Sequence, residues 1–223
     1  GLPRHRPPFV AQVGLFGKPT LVNNVETVYW IRDIIEKGSL WYSDQGKNGR
    51  KGFHSFSVSG RVNKPGVKVA PAGITVKELI DDYSGGMIEG HKFKAYLPGG
   101  ASGGILPASL SNIPLDYGVK ELDDEGCFLG SAAIVILSDQ DKMKDVGLSL
   151  LRFFEEESCG QCTPCRVGTE KTVKEMKKEK WSKSALLDLS IVMADASICG
   201  LGQAATNPLK SIMKHFADDI QYE

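Results

Sequence analysis

Three cysteines within seven residues, Cys159-Gly-Gln-Cys162-Thr-Pro-Cys165, constrain this chain more than any other feature. Two C-x2-C steps sharing their middle cysteine put three thiolates on one tight loop. The corners of an iron–sulfur cluster need such neighbouring sulfurs plus one from elsewhere. Cys199 supplies the fourth, in Ser197-Ile-Cys-Gly-Leu-Gly202, where glycines let the backbone bend close to an inorganic cluster. Zinc is the rival metal, but its usual signature is two separated C-x2-C pairs, and no histidine lies near these cysteines. The expectation is a [4Fe–4S] cluster on Cys159, Cys162, Cys165 and Cys199, with zinc and metal-free thiols as the alternatives. Cys165 falls in the first turn of a helix opened by Thr163-Pro164, where the helix N-terminus favours thiolate. Arg166 either offsets cluster charge or is an ordinary surface arginine.

The fifth cysteine, Cys127, lies between Gly126 and Phe128 and is expected to be a small buried hydrophobe. An odd cysteine count is poorly suited to a secreted disulfide framework, so a cytoplasmic setting with reduced thiols is expected. The 27 basic and 27 acidic side chains balance to zero. A nucleic-acid or anionic-membrane binder needs a clustered basic excess, so neither partner is expected. No apolar run approaches the roughly 20 residues of a membrane span. The chain begins at Gly1 and reads as a piece cut from something longer.

The remaining pattern divides into three stretches. Residues 1–24 form an irregular Pro/Gly/Asn-rich arm, followed by an amphipathic helix from Val25 to Lys37 and a polar glycine-rich linker over 43–52. From Phe53 the apolar period becomes two, with Phe56 and Val58 on one face. The turn Asn63-Lys64-Pro65-Gly66 then leads into Val67 and Val69, making a hairpin. A short helix over Val76–Tyr83 and buried strands at Phe93–Leu97 and Ala132–Leu137 follow, separated by the loop Pro98–Pro107. That order suits a β-grasp domain. After Asp139 everything reads as helical: Met143 to Phe154 at 3–4 spacing, then Thr163 to about Lys180, a helix from Ser182 or Ser184, and the stripe Leu209, Ile212, Met213, Phe216, Ile220. Four such helices suggest a small bundle. The lysines between 171 and 183 alternate with glutamates as a solvated face. His5, His54, His91 and His215 are scattered singly, which suits structural or surface roles, and no catalytic acid, base or nucleophile stands out.

The segment Glu157-Ser-Cys-Gly-Gln-Cys-Thr-Pro-Cys-Arg-Val-Gly168 resembles the iron–sulfur motif of the family of FMN/NADH-binding flavoprotein subunits. Members serve respiratory complex I, soluble NAD-dependent formate dehydrogenases and NAD-reducing hydrogenases. Gly14-Leu-Phe-Gly-Lys-Pro-Thr-Leu-Val-Asn-Asn-Val-Glu-Thr27 resembles the segment closing that family's flavin domain. Ser57-Val-Ser-Gly-Arg-Val-Asn-Lys-Pro-Gly66 and the loop at 98–107 resemble its β-grasp insert. The resemblance runs in order along essentially the whole chain. It puts Cys159, Cys162, Cys165 and Cys199 on the four cluster ligands, and Asn23 and Asn24 on the pair that approaches the phosphate end of FMN. An ordinary helix cap is the other reading of that asparagine pair, and the two are compatible.

The resemblance implies an α+β chain: residues 1–50 as the tail of an α/β FMN domain, 51–139 as the β-grasp domain, and 140–223 as a helical-bundle [4Fe–4S] domain. It also implies single-electron relay between FMN and other clusters, with NAD(H) as the full subunit's substrate. The partners would be a small [2Fe–2S] subunit and a catalytic, molybdenum-type subunit, within a peripheral arm of a larger complex. The family's glycine-rich FMN/NADH loop precedes Gly1 in the resemblance, so this stretch alone is not expected to act on NADH. Gln203, where complex I members usually carry an acidic residue, and the loop at 98–107 rank formate dehydrogenase first, a hydrogenase diaphorase second and complex I third. A binding module stapled by a structural metal is the competing class.

Overall fold

The computed structural model describes residues 6–223, and the expectations for His5 and the first five residues of the arm lie outside that range. The arm carries a single 3-10 turn at Leu15–Gly17. Instead of one helix, residues 25–43 form three short ones: α1 (Val25–Tyr29), α2 (Ile31–Lys37) and α3 (Ser39–Ser43). The break falls at Trp30, whose indole stacks on Phe53 with ring centroids 4.9 Å apart. The linker therefore starts one residue later than expected, because α3 already occupies Ser43. Of the apolar positions 25, 28, 31, 34 and 35 read from the sequence, Val25, Val28, Ile31 and Ile35 are exposed and Ile34 is half-buried.

A five-stranded sheet follows: β1 (Phe53–Gly60), β2 (Gly66–Pro71), β3 (Phe93–Leu97), β4 (Leu106–Pro107) and β5 (Ala133–Ser138). The strand order is β2-β1-β5-β3-β4, with β1 and β5 parallel at the centre and the other pairs antiparallel. A hairpin beside a parallel central pair, crossed by a helix, is the β-grasp pattern. That helix is α4 (Val76–Glu78), opened by a reciprocal Thr75–Glu78 capping box and continued by a wider turn over Leu79–Tyr83. A further short helix, α5 (Lys120–Asp124), carries no apolar period of its own and is not legible in the sequence.

The helical half comprises α6 (Met143–Glu157), α7 (Thr163–Met176), α8 (Lys183–Ala196), α9 (Gly200–Ala204) and α10 (Asn207–His215). α7 ends at Met176, short of the expected Lys180. On α6 Met143, Gly147, Leu151 and Phe154 are buried, and Val146 and Leu150 pack half-buried on the core that holds Met143 and Leu151. Of the expected positions Met143, Val146, Leu150, Phe153 and Phe154, only Phe153 is exposed. The stripe Leu209, Ile212, Met213, Phe216 and Ile220 is buried throughout, its last two members beyond the end of α10.

Two apolar cores flank the sheet. One contains Phe56, Val58, Ile74, Leu79, Tyr96, Ile134 and Ile136. The other joins Ala95, Leu97 and Leu137 to Met143, Leu151, Met176, Trp181 and Ile212. Alternate residues of β3 and β5 therefore serve opposite cores, which explains the unbroken apolar run of β5: both its faces are covered. The helices pack directly on the sheet and hold the loop after α6 against the start of α7.

Candidate metal centre

Two chain reversals build the site. At the first, α6 stops at Glu157 and Ser158 leaves the helix in an extended conformation (φ −61°, ψ 123°). Gly160 then turns the chain at φ +73°, a conformation that L side chains rarely adopt, so the cysteine at 159 and the one at 162 can face one space. Cys162 is the N-cap of α7, with Pro164 in the first turn, one residue earlier than a Thr163 cap would place it. Cys165 is one turn in and buried. At the second reversal α8 ends at Ala196, and Cys199 caps α9.

The four thiols are free of disulfides; Cys159 and Cys199 are exposed, Cys162 half-buried and Cys165 buried. They share an electrostatic neighbourhood. Burial pushes the Cys165 thiol up, and the sulfurs of Cys162, Cys199 and Cys159 push it further. The Cys162 thiol is held below its ordinary value by the backbone N–H groups of Ile198 and Cys165. A loop residue next to Cys199 thus reaches the sulfur of the C-x2-C run, and the sequence-distant cysteine joins the other three. Cys127 stands apart: it is buried, burial raises its thiol to about 11, and its sulfur lies 3.9 Å from Ser211 Oγ.

Among the described residues, no three Cys, His, Asp or Glu side chains converge on a point that could hold one ion. The reduced thiols, the helix N-terminus behind Cys165 and the close turn at Gly202 all fit a cluster. A Cβ on Gly202 would lie 2.4 Å from Ser197 Oγ and 2.9 Å from Cys165 Cβ.

The hydrogen bonds that brace the site are not legible in the sequence. Arg166 donates to the Gly160 carbonyl and, at 3.3 Å, to Thr163 Oγ1, so it clamps the cysteine loop. Ser158 Oγ lies 3.3 Å from Cys165 Sγ. Gln203 donates from Nε2 to the Ser197 carbonyl at 3.0 Å, bracing the turn around Cys199. Serine and arginine are too common for their positions alone to signal these contacts.

Asn24 caps α1, its Oδ1 accepting from Glu26 N–H at 2.8 Å; Asn23 beside it is exposed. Asn24 also borders an open cavity of about 590 Å³, together with Glu26, Trp30, Ser55, Tyr117 and Ser131. Glu26 Oε1 accepts from Ser55 N–H at 2.5 Å, which ties α1 to β1 beside that cavity, and His54 Nε2 lies 2.8 Å from Asp116 Oδ1. His91 Nδ1 lies 2.9 Å from Ser138 Oγ, and His215 Nε2 3.0 Å from Glu125 Oε2.

Fold and site together define an iron–sulfur region carried on an α+β frame. Residues 145–223 match the family model described as the NADH-ubiquinone oxidoreductase-F iron–sulfur binding region. Nearly the whole chain is homologous to the F subunit of NADH-quinone oxidoreductase from Mycobacterium tuberculosis (strain ATCC 25618 / H37Rv), at 39% identity over 98% of this chain and 50% of the relative. Its counterpart in Rickettsia rickettsii (strain Sheila Smith) is 37% identical over 99% and 54%. The F 2 subunit of the same oxidoreductase from Rhizobium meliloti (strain 1021) is 36% identical over 96% and 52%. Among solved structures, a chain of an NAD+-reducing [NiFe]-hydrogenase in the H2-reduced state superposes with a TM-score of 0.79 at 30% identity, over 99% of this chain and 39% of that one. The chain spans about half the length of the curated relatives it matches. None of its described helices is long and apolar enough to cross a membrane.

Proposed function

We propose that this chain is the electron-relay part of an FMN-carrying, NADH-oxidising subunit, and that its parent enzyme is an NAD-dependent formate dehydrogenase. The observation that carries the relay is the gathering of Cys159, Cys162, Cys165 and Cys199 at two chain reversals within a segment of the iron–sulfur family. Those four side chains would hold a [4Fe–4S] cluster, which takes and gives single electrons when bound. Arg166 keeps the loop closed around it, and Ile198 N–H supports the Cys162 sulfur. Asn23 and Asn24 offer amide donors to the phosphate end of FMN, with NAD(H) as the substrate of the flavin. The division of labour is a flavin-domain tail over 1–50, a β-grasp domain over 51–139 and the cluster domain over 140–223. The partners are a small [2Fe–2S] subunit and a molybdenum-type catalytic subunit in a cytoplasmic, peripheral assembly.

Gln203 supports the formate assignment. Its amide donates to the Ser197 carbonyl, a bond that an acidic residue of the complex I type could not make once ionised. A second reading, the diaphorase subunit of an NAD-reducing hydrogenase, is favoured by the hydrogenase superposition, and a third, complex I, by the names of the curated relatives. The test is to purify the intact oxidoreductase anaerobically and to supply NAD+ with formate, NAD+ with H2, or NADH with a quinone in turn. Formate-dependent NAD+ reduction is the expected result. Activity with H2 or quinone but not formate would overturn the formate assignment.

A further inference from the structure

We propose that the Ser158 hydroxyl donates a hydrogen bond to the Cys165 sulfur and thereby raises the reduction potential of the cluster held there, with the Ser197 hydroxyl as a second donor. The inference rests on Cys165 being a cluster ligand.

Ser158 Oγ lies 3.3 Å from Cys165 Sγ. The same oxygen accepts from Gly160 N–H at 3.3 Å. A serine hydroxyl has one hydrogen to donate and two lone pairs to accept with. One lone pair is taken by Gly160, and a ligating cysteine carries no proton, so the hydrogen between oxygen and sulfur belongs to Ser158. Cys165 is buried, where such a bond is electrostatically stronger than in water.

Ser197 supplies an independent observation. It is only 6% exposed, and its hydroxyl makes no hydrogen bond to a nitrogen or oxygen of the protein. An unpaired buried hydroxyl is destabilising. This one sits against the Gly202 turn, which also faces Cys165 Cβ, and it helps hold the Cys162 thiol below its ordinary value.

The direction of the effect follows from charge. One electron added to the cluster adds one negative charge, shared by the ligand sulfurs. A hydroxyl hydrogen aimed at a sulfur stabilises the reduced state more than the oxidised one, so the potential rises.

The experiment measures the midpoint potential of the reconstituted full chain by EPR-monitored titration, for wild type, Ser158→Ala, Ser158→Thr, Ser158→Val and Ser197→Ala. Ser158→Ala should keep its iron, while its reduced-to-oxidised ratio at a fixed potential falls about tenfold, equivalent to about 59 mV for one electron. Ser197→Ala should shift in the same direction, and Ser158→Thr, which keeps the hydroxyl, should restore the wild-type value. Unmoved potentials in iron-loaded Ala and Val variants would overturn the proposal. So would loss of iron from both hydroxyl-free variants while Ser158→Thr loads normally, since that assigns the hydroxyl to loop assembly. Failure of the wild type to take up iron would instead overturn the ligand assignment beneath it.

Discussion

Gly202 lies so close to Cys165 that a Cβ at position 202 would stand 2.9 Å from the cysteine's own Cβ. The turn that carries Cys199 is thus pressed onto the first turn of α7. Gly202→Ala should force the two apart, abolish most iron uptake and cost about 1–3 kcal/mol by overpacking. Gly200→Ala is the control, because its Cβ would meet nothing within 4 Å. Iron content and thermal melting of the two variants decide the matter, and equal iron loading would contradict the close-approach account.

The two cysteines outside the C-x2-C run should behave oppositely. Cys127 packs in the sheet core, so Cys127→Ser should cost about 1–3 kcal/mol by burying a hydroxyl and leave the iron content unchanged. Cys199→Ser should change global stability less and lose the cluster. Iron retained by the second variant and lost by the first would reverse the assignment.

Asn24 allows two roles to be separated. Its Oδ1 caps α1, an acceptor that Asn24→Asp retains while replacing the amide donor by a negative charge. In the flavin-binding subunit, Asn24→Asp should leave melting nearly unchanged and weaken FMN binding by about tenfold, in line with one lost hydrogen bond. Fluorescence quenching of FMN measures this, and unchanged affinity would reduce Asn24 to a cap.

Acid stability should report on Asp141. The Arg61 guanidinium beside it, at 2.7 Å, and the backbone N–H of Ser138 hold its carboxyl down to about 2. A folded-state value depressed below the ordinary 3.8 makes the carboxylate stabilising above about pH 4, and that contribution is lost as the pH falls towards 2. Asp141→Asn should therefore lower Tm at pH 7 by roughly 2–4 °C, with the gap to wild type closing below about pH 4. A gap independent of pH would assign the loss to packing.

Much of this architecture is written in local periodicity. Phe56 and Val58 alternate onto the core, the run at 133–137 is apolar because both sheet faces are covered, and Leu209 to Ile220 is buried as a stripe. Where the period is short or its partner distant, the reading slips. The helix at 25–37 breaks at Trp30, where an aromatic stack forms with the distant Phe53, and on α6 Phe153 turns out to be exposed while Gly147 and Leu151 are buried. β4, two residues long, has no period to read. At the site, cysteine spacing exposes the four thiols, but Ser158, Ser197 and the Arg166 clamp depend on chain reversals that no residue type announces.

Anaerobic reconstitution followed by metal analysis and EPR tests the central claim most directly. The four-cysteine account predicts about four irons and four sulfides per chain, visible absorption that bleaches with dithionite, and a paramagnetic signal on reduction. Stoichiometric zinc with no iron uptake and no signal, in protein never exposed to air, would contradict it.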